Sequence, residues 1–555
     1  MNRNTGIIIL GIVFLISIGI ALRIGRDRAL ESDQQVEKPE ALAIAEEQLK
    51  DSQRQSTQSK KSSSGLSPAL VPAGSYSYPS GVIPGEVILH FEDEATLNQA
   101  IQQLTEAGVY IRGTISSLGM IRVGLPNDVS PGVLSRILGD RIARQTFNVP
   151  VQLPQPINMP EISQYLLPFG DDWLLSIGVN EDNSLWGAGV RIAVIDSGVQ
   201  SHPALNGAYI TRVPMIDEPI SSAHGTAVTS LIVGNGDPGF TRGLSPEAEI
   251  IAYQALGAEG GDAFTIAQSI VDAVERGASI INLSLGGFGD SPAVREAIAY
   301  ADTSGVVVVA AVGNERVDQI AYPAAYDEVI GVTAVDMNNV WAEFPNAGLD
   351  GNHPDIAGPG VGVTAAGPNE VNLSFSGTSS STPIVTAAIA AAMSEFDLTA
   401  QQAADLVLAN ANDRGEPGND AYYGVGYLDV GRFINSDQDG IIDLAVSDHF
   451  LDIDGITEDG VPVRVGIQNR GTETVEAPIL TVMVGNTANT QEIYLTALLP
   501  GESVEHEISI PISDFINPGG AQIGSIIRTE QGDEIRTDNN TLGSRYSLPP
   551  EVAIE

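Results

Sequence analysis

"VRIAVIDSGV", residues 190–199, places five apolar residues around one arginine and then stops on an aspartate, a serine and a glycine. A half-buried strand would alternate apolar with polar residues. This one does not, so both of its faces are expected to be covered. The same continuous character returns in "EIIAYQAL" (249–256), "SIINLSL" (279–285), "VVVVAAVG" (306–313) and "VIGVTAV" (329–335). Helical stretches such as "DAFTIAQSIVDAVERGA" (262–278) lie between them. Buried runs separated by helices predict an α/β domain with a parallel sheet over residues 155–435. Polar groups gather beyond the carboxyl ends of the strands in such sheets, which makes Asp196 the first candidate for chemistry.

The flanks read differently. "GEVILHF" (85–91) and "MIRVGLP" (120–126) have strand character, while "EATLNQAIQQLTEAG" (94–108) and "SPGVLSRILGD" (130–140) have helical character. A βαββαβ unit over residues 85–148 is the expectation. After Asn435, short strands such as "VPVRVGIQN" (461–469) and "AQIGSIIRT" (521–529) alternate with turns, predicting an all-β sandwich over 441–548. Residues 23–84 are polar, then rich in Ser, Pro and Gly, and read as a disordered linker. Ahead of them, residues 6–22 are apolar, with no charge between Arg3 and Arg23. As a helix that uncharged stretch would span about 28 Å, close to a hydrocarbon core. No small-x-small pattern comes after Leu22, so an anchor is favoured over a cleaved signal. Arg23, Arg26 and Arg28 by themselves favour a cytoplasmic position for the domains on their C-terminal side.

The 555 residues carry a net charge of −43, which argues against a nucleic-acid partner because phosphate would be repelled. The only lysines are Lys38, Lys50, Lys60 and Lys61. Two readings stand: compositional drift that keeps the chain soluble, or adaptation to salty surroundings, where screening makes acidic self-repulsion tolerable. There is no cysteine, which excludes disulfides and thiolate metal sites.

Two further polar points open apolar helices. "SSAHGTAVTSLIVG" (221–234) sets His224 before Gly225-Thr226, and "SGTSSSTP" (376–383) sets three serines before a proline. Taken singly, Asp196 could cap the following turn, His224 could start a helix, and a serine could be an N-cap worth about 1 kcal/mol. Together they form Asp196, His224, Ser379 in that order, with gaps of 28 and 155 residues. A serine hydroxyl is a weak nucleophile that needs an imidazole to take its proton. The imidazole needs a carboxylate to fix its tautomer. Asp-His-Ser is one of the chain orders in which that set occurs.

At these residues the chain resembles the subtilisin-like serine proteases, or subtilases. "AVIDSGV", "HGT" and "SGTS" resemble that family's three signature blocks. "GLSPEAEIIAYQAL", "INLSLGG", "VAAVGNE", "YPAAYDEVIGVTAVD" and "GPGVGV" match its landmarks in order. The resemblance implies a serine endopeptidase in which Ser379 is nucleophile, His224 base and Asp196 its orienting carboxylate, with Asn314 an oxyanion donor. It further implies an extended protein or peptide substrate, with Ser284, Leu285, Gly286 and Gly287 on one side of the cleft and Ala311, Val312 and Gly313 on the other. His202, in "SHPAL", corresponds to a family His-Pro outside catalysis. No cofactor is implied for the chemistry. Structural calcium is left open with no site assigned, since "DQDGIID" (437–443) lacks a terminal bidentate glutamate and "GNGDPGFTRG" (234–243) departs from the family's calcium loop. The chain also departs at Ala227-Val228-Thr229-Ser230, where many members carry a second histidine, and at Ser380-Ser381, where Met-Ala is commoner. Ser380 and Ser381 are read as fillers, and Pro383 as a first-turn proline whose missing N–H has no consequence.

By the same resemblance the unit at 85–148 is an inhibitory propeptide of a zymogen, its extended "QTFNVPVQLPQP" (145–156) able to lie in the cleft, with self-cleavage between about 147 and 165. The last domain resembles the CARDB-type sandwich of bacterial surface proteins. Both favour an extracytoplasmic location, membrane-anchored through 6–22, or secreted or periplasmic if that segment is removed. This expectation outweighs the arginine count. The alternative is a surface binding or adhesion protein with an inactive protease domain.

Overall fold

The computed structural model describes residues 76–153, 166–349, 351–453, 455–457, 460–485, 489–516 and 520–548. The apolar segment 6–22 and most of the stretch read as linker lie outside the described residues. The end of that stretch, 76–84, is packed rather than free: Tyr78 donates to the Val129 carbonyl at 3.1 Å and meets the Phe147 ring edge-on. Its aromatic residues supply the apolar surface that the Ser-rich part lacks.

The N-terminal domain runs β1 (Glu86–His90), α1 (Glu94–Glu106), β2 (Tyr110–Ile115), β3 (Met120–Gly124), α2 (Gly132–Leu138) and β4 (Arg144–Phe147). Its antiparallel sheet has the order β2-β3-β1-β4. Asp93 starts α1 by accepting the Thr96 N–H at 2.7 Å, and Leu97, Ala100 and Leu104 form its buried stripe. All five residues of β1 are buried, for a reason visible in its neighbours. Val87 and Leu89 fill the domain's own core, whereas Ile88, with Ile115 and Met120, joins an apolar cluster of the next domain.

That next domain contains β5 (Pro150–Val151), α3 (Trp173–Ser176), β6 (Arg191–Asp196), β7 (Ile210–Pro214), α4 (His224–Val233), β8 (Glu249–Gln254), β9 (Gly261–Asp262) and α5 (Ala263–Glu275). It continues with β10 (Ile280–Leu283), α6 (Pro292–Thr303), β11 (Val307–Ala311), β12 (Val329–Val335), β13 (Ile356–Pro359), β14 (Val363–Ala366), β15 (Asn372–Phe375), α7 (Thr378–Phe396), α8 (Ala400–Ala409) and α9 (Val430–Ile434). Seven strands form one parallel sheet in the order β13-β12-β11-β10-β6-β8-β7. Within β6, Ile192 and Val194 enter one apolar layer with α4, α7 and α8, while Ala193 and Ile195 enter the other with α5 and α6. The uninterrupted apolar run results from two covered faces. Helix α7 is buried from Thr378 to Ala392, and its alanines let it pass close behind the sheet.

The last domain comprises β16 (Leu444–Leu451), β17 (Val461–Asn469), β18 (Ile479–Val484), β19 (Asn489–Tyr494), β20 (Ser503–Ile510), α10 (Ile512–Ile516), β21 (Ala521–Arg528) and β22 (Thr541–Tyr546). Its strands make two antiparallel sheets, β16-β17-β20 and β19-β18-β21-β22, around one apolar cluster. It is fastened to the domain of the parallel sheet by Gln468, whose Oε1 accepts the Asp413 N–H at 3.0 Å, and by an Arg464–Glu416 ion pair.

Candidate active site

Asp196 is the last residue of β6, at the carboxyl edge of the sheet, and is fully buried. Its Oδ1 accepts the Ser197 N–H at 2.6 Å. Both carboxylate oxygens face His224 Nδ1, at 3.0 and 2.8 Å. His224 opens α4, and that helix start can approach β6 only because the next residue is glycine. A Cβ on Gly225 would lie 2.4 Å from the Gly198 carbonyl oxygen and 3.0 Å from Asp196 Oδ1. The Phe375 ring in β15 meets the imidazole edge-on at 5.4 Å between centroids. Held this way, the imidazole keeps its proton on Nδ1 and leaves Nε2 as the basic nitrogen.

Ser379 is the second residue of α7, reached through Gly377 at φ 136. Its N–H has no acceptor among the described residues, as expected in a first helical turn. Its hydroxyl donates to the Ser284 carbonyl at 3.4 Å, and no hydrogen bond joins it to His224 among the described residues. Asn314, in the loop after β11, is fixed by its carbonyl: Oδ1 accepts both the N–H and the hydroxyl of Thr378, each at 3.0 Å. The amide nitrogen is thereby turned toward Gly377, 3.1 Å from where a Cβ would stand there.

Pro383 lies deeper in α7 than a first-turn position, and its missing N–H has a consequence. In an uninterrupted helix that N–H would pair with the Ser379 carbonyl. Here the buried Ser284 hydroxyl donates to this carbonyl at 3.3 Å, and itself accepts from Asn282 Nδ2 at 3.1 Å. Asn282 Oδ1 accepts from Thr386 of α7 at 3.0 Å. A buried polar chain thus ties β10 to the helix that carries Ser379. Sequence reasoning missed Asn282, Thr386, Thr378 and Phe375, because each acts through a partner distant in the chain.

The cleft holds a strand of the chain itself. Val151 pairs with Gly261 of β9 on one side, and on the other Gln152 and Gly286 exchange N–H···O bonds at 3.4 and 3.3 Å. A side chain on Gly260 would come within 2.6 Å of the Val151 carbonyl oxygen. The segment Gly260–Asp262 is therefore a cleft wall, and it was not singled out from the sequence, where only the glycine pair marks it. Leu285, Gly286, Gly287, Ala311 and Gly313 line a cavity of about 410 Å³ beside Leu153 and Glu315. Val312 instead turns its side chain into the core. The strand is anchored upstream by Asn148, fully buried, whose Nδ2 donates to Glu86 at 2.7 Å and Asp262 at 2.9 Å. Arg122 adds an ion pair to Asp262 at 2.7 Å.

Among the described residues no three His, Asp or Glu side chains converge as metal ligands. Within 437–443, Asp443 is buried against Asn539, and in the 234–243 loop Asp237 and Asn235 bond each other.

The Subtilase family model, Peptidase_S8, covers residues 187–426. Subtilisin BL of Lederbergia lenta is 37% identical over 216 residues, 38% of this chain and 78% of that protein. This chain belongs to the subtilase family. It is a serine endopeptidase, a hydrolase. The Major intracellular serine protease of Bacillus subtilis (strain 168) is 36% identical over 220 residues, covering 37% of this subtilase and 68% of the relative. In fold, the subtilase is similar to the Epidermin Leader Peptide Processing Serine Protease of Staphylococcus aureus, with a TM-score of 0.53 and 20% identity. That likeness covers 64% of this chain and 99% of the other.

Proposed function

We propose that this subtilase hydrolyses internal peptide bonds of proteins through Asp196, His224 and Ser379, by way of an acyl-enzyme. The observation that carries the reading is the His224 imidazole, held through Nδ1 by a buried carboxylate at 2.8 Å. For attack, the Ser379 hydroxyl exchanges the Ser284 carbonyl for His224 Nε2, which takes its proton as Oγ bonds to the substrate carbonyl carbon. The imidazolium is stabilised by Asp196. Negative charge on the carbonyl oxygen is met by the Ser379 N–H and the Asn314 amide, both of which lack another acceptor among the described residues, and by the start of α7. The tetrahedral intermediate collapses as the imidazolium gives its proton to the leaving amine. Water then repeats these steps and releases the acid. Labelling with a fluorophosphonate probe tests this: wild type is labelled at Ser379, and equal labelling of Ser379→Ala would sink it.

The N-terminal domain supports a zymogen reading. Its docking through Asn148 and Arg122, and the strand 150–152 between Gly261 and Gly286, are what an inhibitory propeptide requires. Substrate is expected to replace that strand in the same pairing. An extracytoplasmic location, with anchoring through 6–22, is the accompanying proposal. It is tested by protease accessibility in intact against lysed cells.

A further inference from the structure

The seam between the catalytic domain and the sandwich encloses a second cavity, of about 400 Å³, remote in sequence from the residues of the cleft. One wall is α9 with Gly178 and Asn410; the other is formed by Ile441, Asp443, Arg470 and Arg536. The whole chain has 27 basic residues against 70 acidic ones, yet three arginines, Arg432, Arg470 and Arg536, line this one space.

Their partners differ. Arg432 is buried and bonded on one side: its Nη1 donates to the carbonyls of Asn410 at 3.0 Å and Ala411 at 2.5 Å, and its Nε to the Arg470 carbonyl at 3.3 Å. Arg536 stands at the mouth, with its side chain 41% exposed, 3.6 Å from carboxylate oxygens of Asp429 and Asp538. Arg470 donates through Nε to Gln468 at 3.0 Å, and its two terminal amines have no acceptor among the described residues. The nearby carboxylates Asp443 and Asp429 act on Arg470 by charge without hydrogen-bonding its terminal amines. Asp429 accepts from the Arg432 N–H at 3.0 Å and from Asn412 at 2.8 Å, and Asp443 accepts from Asn539 at 2.7 Å. Glu181, the other acid lining the cavity, is exposed.

Arg470 is only half-buried, so its unpaired terminal amines face the cavity and can take a ligand there. Burial, with Arg432 and Arg414 nearby, pushes Arg470 down to about 9 against the opposing pull of Asp443 and Asp429. Two parallel terminal N–H groups form a planar fork that fits a carboxylate or phosphate bidentately. We propose that this cavity binds a small oxyanion, a carboxylate- or phosphate-bearing molecule, held by the Arg470 fork and closed over by Arg536. Because its walls come from two domains, the bound anion strengthens their docking by mass action.

Calorimetric titration of the full chain with inorganic phosphate, and separately with citrate, tests this at constant ionic strength set by sodium chloride. One saturable site per chain is expected for at least one anion, with a higher unfolding temperature at saturation. Binding falls about tenfold or more in Arg536→Ala and in Arg470→Gln, and is unchanged in Arg191→Ala, an exposed arginine outside the cavity. If Arg470→Gln fails to fold, Arg536→Ala decides, since that side chain sits at the open mouth. The proposal is overturned if neither anion binds saturably at millimolar concentration, or if Arg536→Ala binds as wild type does.

Discussion

Ser380 carries a hydroxyl that is buried without a hydrogen-bond partner among the described residues, one position past Ser379. Its neighbour Ser381 is satisfied by the Gly358 carbonyl at 3.1 Å. The two fillers are therefore not alike. Removing an unpaired buried hydroxyl relieves its desolvation, so Ser380→Ala is expected to raise stability by about 1 kcal/mol and leave kcat within about twofold. Urea unfolding and peptide hydrolysis would measure both; a clear loss of stability would show a hidden partner. Asn314 is the opposite case. With its Oδ1 pinned by Thr378, its amide is aimed before substrate arrives. Asn314→Ala is expected to lower kcat about 10²–10³-fold with little change in KM, a magnitude known from subtilisin itself. A change confined to KM would place Asn314 in ground-state binding instead. Thr378→Val keeps the backbone donor and loses the hydroxyl, and a smaller loss of kcat is expected, again without a change in KM.

At the scale of elements, docking of the N-terminal domain is linked to pH through His90 in β1. The ring is buried beside Thr146 and beside Glu296 of α6, and burial together with Arg144 pushes its pKa down to about 4 from an ordinary 6.5. Arg144 belongs to the same domain and stays beside His90 after release, so docking is linked to pH only through the burial that α6 adds, which makes a docked His90 bind fewer protons than a released one. That contribution to docking is full above about pH 6.5 and is lost as pH falls toward 4. Release of the domain should be faster at pH 5 than at pH 7 in wild type, and nearly pH-independent in His90→Gln. Equal release by wild type at both pH values would remove His90 from the account. These elements also show what the sequence discloses. The runs at β6, β10 and β11 are legible because both faces are buried, and Asp196, His224, Ser379 and Asn314 stand out as candidates because their motifs are local. Strands β5 and β9, of two residues each, have no apolar pattern and arise only from pairing with each other. Strand β2 is interrupted by a bulge near Gly113, where a Cβ would stand 2.7 Å from the Phe264 ring, and that constraint belongs to another domain.

For the whole molecule the dominant quantity is the net charge of −43. The four lysines all precede residue 62, so arginines and the few histidines carry all positive charge in the described domains. Many of those arginines are already paired, as in Arg191–Glu249 and Arg276–Asp272, and the excess acid remains on the surface. Like charges at the surface repel over a screening length of about 10 Å at 0.1 M salt, which shortens to about 3 Å at 1 M. The unfolded chain holds the same charges farther apart, so screening relieves the folded state more. Exposed ion pairs weaken in the same salt, but each contributes only about 0–1 kcal/mol. With acids outnumbering bases 70 to 27, repulsion prevails over these pairs. The urea midpoint of the full chain should therefore rise steadily as sodium chloride goes from low to molar concentration. Sodium sulfate would confuse the comparison, since it also strengthens apolar burial, so chloride is the salt to use. A midpoint that is flat or falls across the series would mean that the surface ion pairs, not the net charge, govern the stability of this subtilase.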